Sequence, residues 1–68
     1  MYENVRAEMA RKSKTLVDLS NITGIRYQTL SEKLRGNSPL LLKEAVLIRD
    51  ALGVDMSIEE LFGLQVVS

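Results

Sequence analysis

Apolar residues recur along this chain at helical spacing. Val5 and Met9, then Leu19 with the small residues Ser20 and Thr23, then Leu30 and Leu34, then Leu41, Ala45, Ile48 and Leu52 each fall on one stripe of a 3.6-residue turn. No segment sustains the alternation of a strand. Gly24, Gly36 and Gly53 each follow one of these periodic segments, where helices commonly end on a left-handed residue, and Gly63 follows a last short one.

The pattern predicts five helices. The first runs from about Glu3 to Lys12. The second opens at Thr15, an N-cap with Asp18 three residues on, and ends before Gly24. The third runs from Arg26 or Tyr27 to Arg35. The fourth is expected from "SPL", with Ser38 as N-cap and Pro39 at the first helical position, to about Leu52. The fifth starts at Ser57, where "SIEE" forms a capping box, and buries Ile58 or Leu61 with Phe62. The tail from Gly63 to Ser68 reads either as a short strand or as a frayed end.

A chain of 68 residues suffices for one domain, 1–68, with one small core. Neither cysteine nor histidine is present, which removes disulfides, the usual zinc ligands and the common nucleophile–base pairs. With no paired carboxylates, phosphate loop or metal spacing either, the expectation is a protein without cofactor or small-molecule ligand and not an enzyme. Charges from Glu3 onward interrupt the N-terminal stretch, and Lys43 and Glu44 interrupt the longest apolar run. Neither a signal peptide nor a membrane span is expected, and the cytoplasm is the expected compartment.

The net charge of zero at first argues against nucleic acid as a partner. Its distribution changes that picture. Up to Gly36 there are seven Lys/Arg against four Asp/Glu, giving +3, and from Asn37 onward two against five, giving −3. One half of the molecule suits an anionic partner, although ordinary charge scatter produces the same numbers.

The third segment, "RYQTLSEKLRG", places Tyr27, Gln28, Thr29, Ser31, Glu32 and Arg35 around only Leu30 and Leu34. Two helices joined by "TGIR", with Ile25 plugging the core beneath the turn, have the helix-turn-helix layout. From these residues the stretch "TLVDLSNITGIRYQTLSEKLRGN" resembles the helix-turn-helix of phage repressors and Cro proteins, the lambda-repressor-like family also called XRE-like. "EAVLIRDALGVDMSIEELF" resembles that family's closing helices, so the likeness covers about Met1 to Phe62.

The resemblance implies an all-α, compact five-helix domain with helix-turn-helix at helices two and three. It implies a transcriptional regulator that binds double-stranded DNA at a partly palindromic operator, as a homodimer, through helix three in the major groove. Carried over by position, the base contacts are Tyr27, Gln28, Thr29, Ser31 and Glu32, and the phosphate contacts are Lys14, Thr15, Arg26, Arg35, Asn37 and Ser38. Glutamine can bond adenine in bidentate fashion, and a glutamate can accept from cytosine N4. A length matching the DNA-binding domain alone leads us to expect a Cro-like switch protein of a phage or prophage, or a small accessory regulator.

Three positions depart from the family pattern. Leu16 stands where many relatives carry glutamine. Arg26 replaces a capping Ser or Thr. Met9 and Leu34 replace an arginine–glutamate pair, an exchange that as a unit is often neutral or stabilising.

Each assignment has a plainer counterpart. Gln28 and Ser31 also fit solvated surface, Tyr27 also fits packing on Leu30, and Glu32 also fits a pair with Arg35. Leu16, Val17, Ile22, Leu40, Leu42, Val46 and Leu47 exceed what so small an interior needs, which points to an interface. That surplus and the zero net charge equally suit a protein-interaction adaptor, antirepressor-like, that kept the fold and lost DNA binding. An antitoxin of the same fold is a close neighbour.

Overall fold

The structure is a computed structural model and describes residues 2–63 and the backbone of 66–67. It is small and mostly helical, with α1 at Glu3–Arg11, α2 at Leu16–Thr23, α3 at Tyr27–Leu34, α4 at Leu42–Leu52 and α5 at Ile58–Phe62. Two short extended pieces, β1 (Leu40–Leu41) and β2 (Val66–Val67), pair in parallel with Leu40 opposite Val66. The tail thus supplies a short strand at Val66–Val67, and Leu64, Gln65 and Ser68 lie outside the described residues. No helix among the described residues is long and apolar enough to cross a membrane.

The expected stripes meet in one core. Val5 and Met9 from α1, Leu19 from α2, Leu30 and Leu34 from α3, Ala45, Ile48 and Leu52 from α4, and Leu61 and Phe62 from α5 are all buried. Each fully buried leucine contributes about 1.5–3 kcal/mol of transfer free energy. α4 packs against α2 and α5, while α1 closes the far side through α5. The Tyr2 ring meets Phe62 edge-on at 5.3 Å and ties the start of the chain to the last helix. Met9 and Leu34 belong to this same buried, apolar cluster.

The start of α4 corrects the sequence reading. Ser38 and Pro39 do not open the helix. Leu41 is its N-cap, and Leu40 and Leu41 are extended and paired with the tail. The reason lies three residues on. A helix opened at Pro39 would carry Leu41 at its third position, with no acceptor to reach back. Opened at Leu42, it carries Glu44 there, whose carboxylate accepts the Leu41 N–H at 3.0 Å. The shift exchanges two neighbours: Leu40, counted among the surplus residues, is 1% exposed, and Leu41, expected inward, is 37% exposed.

Other ends follow the sequence. Ser57 and Glu60 form the reciprocal cap of α5, at 3.1 Å and 2.9 Å. α1 ends within a residue of the expected Lys12, and beyond it Ser13 takes the left-handed conformation, φ 56°, where glycine is usual. Glu8 reaches the core's edge, where its carboxylate pairs with Arg11 at 3.1 Å.

Candidate nucleic-acid interface

α2 is fixed at its start. The Thr15 hydroxyl accepts the Asp18 N–H at 3.2 Å, and the Asp18 carboxylate accepts the Thr15 N–H at 2.9 Å and its hydroxyl at 3.1 Å. The Thr15 backbone N–H, then its hydroxyl, hold the Asp18 carboxyl below its ordinary pKa. The Thr15 hydroxyl therefore serves Asp18, and the N–H groups of Leu16 and Val17 are the first-turn donors outside this cap.

The turn after α2 is held by short side chains. Gly24 has φ 79° and donates its N–H to the Ser20 carbonyl at 3.0 Å. The Ser20 hydroxyl donates to the Ile25 carbonyl at 2.6 Å. The Thr23 hydroxyl donates to the Leu19 carbonyl at 2.7 Å and accepts the Ile25 N–H at 3.2 Å. Residues chosen from the pattern for their small size thus also satisfy the turn's backbone. Ile25 packs, half-buried, against the core, and Arg26 makes no side-chain cap to α3.

α3 has eight residues, with Leu30 and Leu34 fully seated in the core. At 1.5 Å per residue it is roughly 12 Å long. Its outer side carries Gln28, Thr29 and Glu32, all exposed, with Tyr27 at 49% exposure and Ser31 half-buried along one margin. All five expected base-contact residues therefore share one helix. Tyr27 is not among the residues packed on the core.

The far end of α3 closes on Gly36, φ 84°. The Gly36 N–H donates to the Lys33 carbonyl at 3.2 Å and the Asn37 N–H to the Glu32 carbonyl at 3.0 Å, the paired bonds of a glycine-terminated helix. The Asn37 side chain donates from Nδ2 to Glu32 Oε2 at 2.9 Å. Glu32 forms no ion pair with Arg35 among the described residues. Arg26 and Arg35 stand exposed at the two ends of α3, Lys14 and Ser38 are half-buried, and Asn37 is exposed.

Sequence reasoning missed Lys33 and Glu44. The Lys33 ammonium donates to the Pro39 carbonyl at 2.9 Å and meets Glu44 Oε1 at 3.0 Å, with the two side chains 13% and 16% exposed. Burial raises the Glu44 carboxyl, but the Leu41 N–H and the Lys33 ammonium outweigh it and leave the pKa lowered. This cluster fastens the end of α3, the loop after it and the start of α4 together. No local spacing links positions 33 and 44. The signal within reach was Glu44 alone, three residues after an extended leucine pair.

No family model, no curated protein and no solved structure matches the chain.

Proposed function

We propose that this chain is a sequence-specific regulator that binds double-stranded DNA, of the lambda-repressor-like kind and nearest in organisation to Cro proteins of phages and prophages. In this reading α2, the Gly24 turn and α3 form a helix-turn-helix. α3 lies in the major groove, and two copies act together in the cytoplasm on a partly palindromic operator. The observation that carries the reading is the composition of α3's outer side. Five hydrogen-bonding side chains, Tyr27 to Glu32, stand on a short helix whose two leucines are locked in the core. A groove about 12 Å wide admits such a helix, and base edges are read by these residue types. Arg26 and Arg35 flank it as positioning contacts to phosphate.

The test is selection from a random duplex pool at ~50 and ~200 mM salt. A regulator with roughly 6–10 phosphate contacts loses about 10³–10⁵ in affinity over that range and enriches a partial palindrome. Binding that is weak at both salts and enriches nothing rejects the proposal. A second reading, a protein-interaction adaptor or antitoxin that retains the fold, is favoured by Val17, Ile22, Leu42 and Leu47, exposed at 55%, 54%, 44% and 45%, and by the zero net charge. That reading is the one left standing if the pool yields nothing.

A further inference from the structure

Glu32 and Asn37 are joined twice, once through the backbone at 3.0 Å and once through their side chains at 2.9 Å. Where a helix ends on a left-handed glycine, the third residue from its end and the residue after the glycine are brought side by side, and an apolar contact commonly fills that space. Here two exposed polar side chains fill it instead. The backbone bonds close α3 without them, so helix termination alone does not call for a carboxylate and an amide at this place.

We propose that Asn37 is a positioning residue that holds the Glu32 carboxylate as a fixed acceptor at the base edges, so that Glu32 selects cytosine at one position of each half-site. The inference rests on the DNA-binding reading above. An ionised carboxylate only accepts, and it has about four lone-pair sites. Asn37 occupies one, on Oε2, and the exposed carboxylate keeps Oε1 available as an acceptor. In the major groove cytosine offers a lone N4 donor. Guanine offers N7 and O6 acceptors and thymine an O4 acceptor, while adenine's donor sits beside the N7 acceptor. A held carboxylate therefore favours cytosine and is repelled by guanine and thymine, so much of the selectivity comes from rejection. A free glutamate turns away from an unfavourable base by changing rotamer, and the Asn37 bond removes that escape. In this arrangement Asn37 itself touches neither base nor phosphate.

Pool selection on the wild type, Glu32→Gln, Asn37→Ala and the double variant tests this, with thermal unfolding to confirm that each is folded. The expected wild-type pool carries cytosine at one position per half-site, with about tenfold discrimination that Glu32→Gln removes. Asn37→Ala weakens the same preference about threefold or more and leaves the other positions intact. In the Glu32→Gln background it changes nothing further, as coupling through one partner requires. The inference is overturned if Asn37→Ala keeps the cytosine preference; a uniform loss of affinity with an unchanged salt slope then makes Asn37 a phosphate contact, since a neutral amide releases no counterion. It is also overturned if the wild type selects a palindrome that Glu32→Gln leaves unchanged. Absence of any salt-dependent binding by the wild type removes the DNA-binding reading itself, and with it this one.

Discussion

Leu30 and Gln28 sit two residues apart on α3 and belong to different worlds. Leu30 is 0% exposed and Gln28 lies on the outer side. Leu30→Ala leaves a cavity in a core built from few large side chains, and a cost of about 2–5 kcal/mol is expected. For a domain this small that approaches the whole stability. Gln28→Ala is expected to leave the unfolding midpoint nearly unchanged, within about 0.5 kcal/mol, while weakening binding to the selected operator by about 1–3 kcal/mol and relaxing one base position. Denaturant unfolding and operator titration on the two variants separate the roles. A Gln28→Ala protein that still reads every position equally well makes Gln28 solvated surface. Which of the two residues faces inward was legible because the helical period alone sorts inward from outward. The Asn37 contact was not, since it depends on where the chain turns after Gly36, and Asn37 viewed alone looked like one more phosphate ligand.

At the scale of the element, what could be read was whatever a helix declares within four residues of its own end. Thr15 with Asp18 and Ser57 with Glu60 were read from spacing and are formed. The start of α4 was misread because serine followed by proline is a good local signal, and the competing signal came partly from outside. β1 pairs with a strand 26 positions on in the register Leu40 to Val66, and Lys33 reaches across to Glu44. The caps also predict a pH response. Hydrogen bonds from the Thr15 backbone lower the Asp18 carboxyl, hydrogen bonds from Ser57 lower that of Glu60, and Glu44 is lowered despite its burial. A carboxyl whose pKa is lower folded than unfolded contributes stability that is complete above its unfolded pKa and is lost as pH falls through the folded one. With unfolded values of about 4 and no histidine in the chain, stability should be level from about pH 8 to 6 and fall below about pH 4.5. Urea midpoints across that range check it. Asp18→Asn with Glu60→Gln should flatten the acid limb, and a limb as steep as wild type would assign the proton linkage to Glu44.

For the whole molecule, the exposed Val17 and Ile22 on α2 and Leu42 and Leu47 on α4 have no counterpart in the core. Because α2 and α4 pack against each other, these residues belong to adjacent helices. The surplus was legible as a count but not as a place, since the count included Leu40, which is buried in the core and paired through its strand with Val66. Size gives the surplus a meaning under the proposed function. The backbone extends 26 Å along its longest principal axis, and successive half-sites on one side of a duplex lie about 34 Å apart. One copy therefore reads one half-site, and a palindrome requires two copies side by side. Association of that kind couples to folding, so the unfolding midpoint should rise with protein concentration. Leu47→Glu adds a charge at a position already 45% exposed, which spares the monomer's core. It is expected to abolish the concentration dependence and halve the mass seen in sedimentation. In pool selection it should return single half-sites where the wild type returns pairs. A Leu47→Glu protein that still sediments as a dimer on paired half-sites moves the interface away from this face of α4, and the same comparison with Ile22→Glu then tests α2.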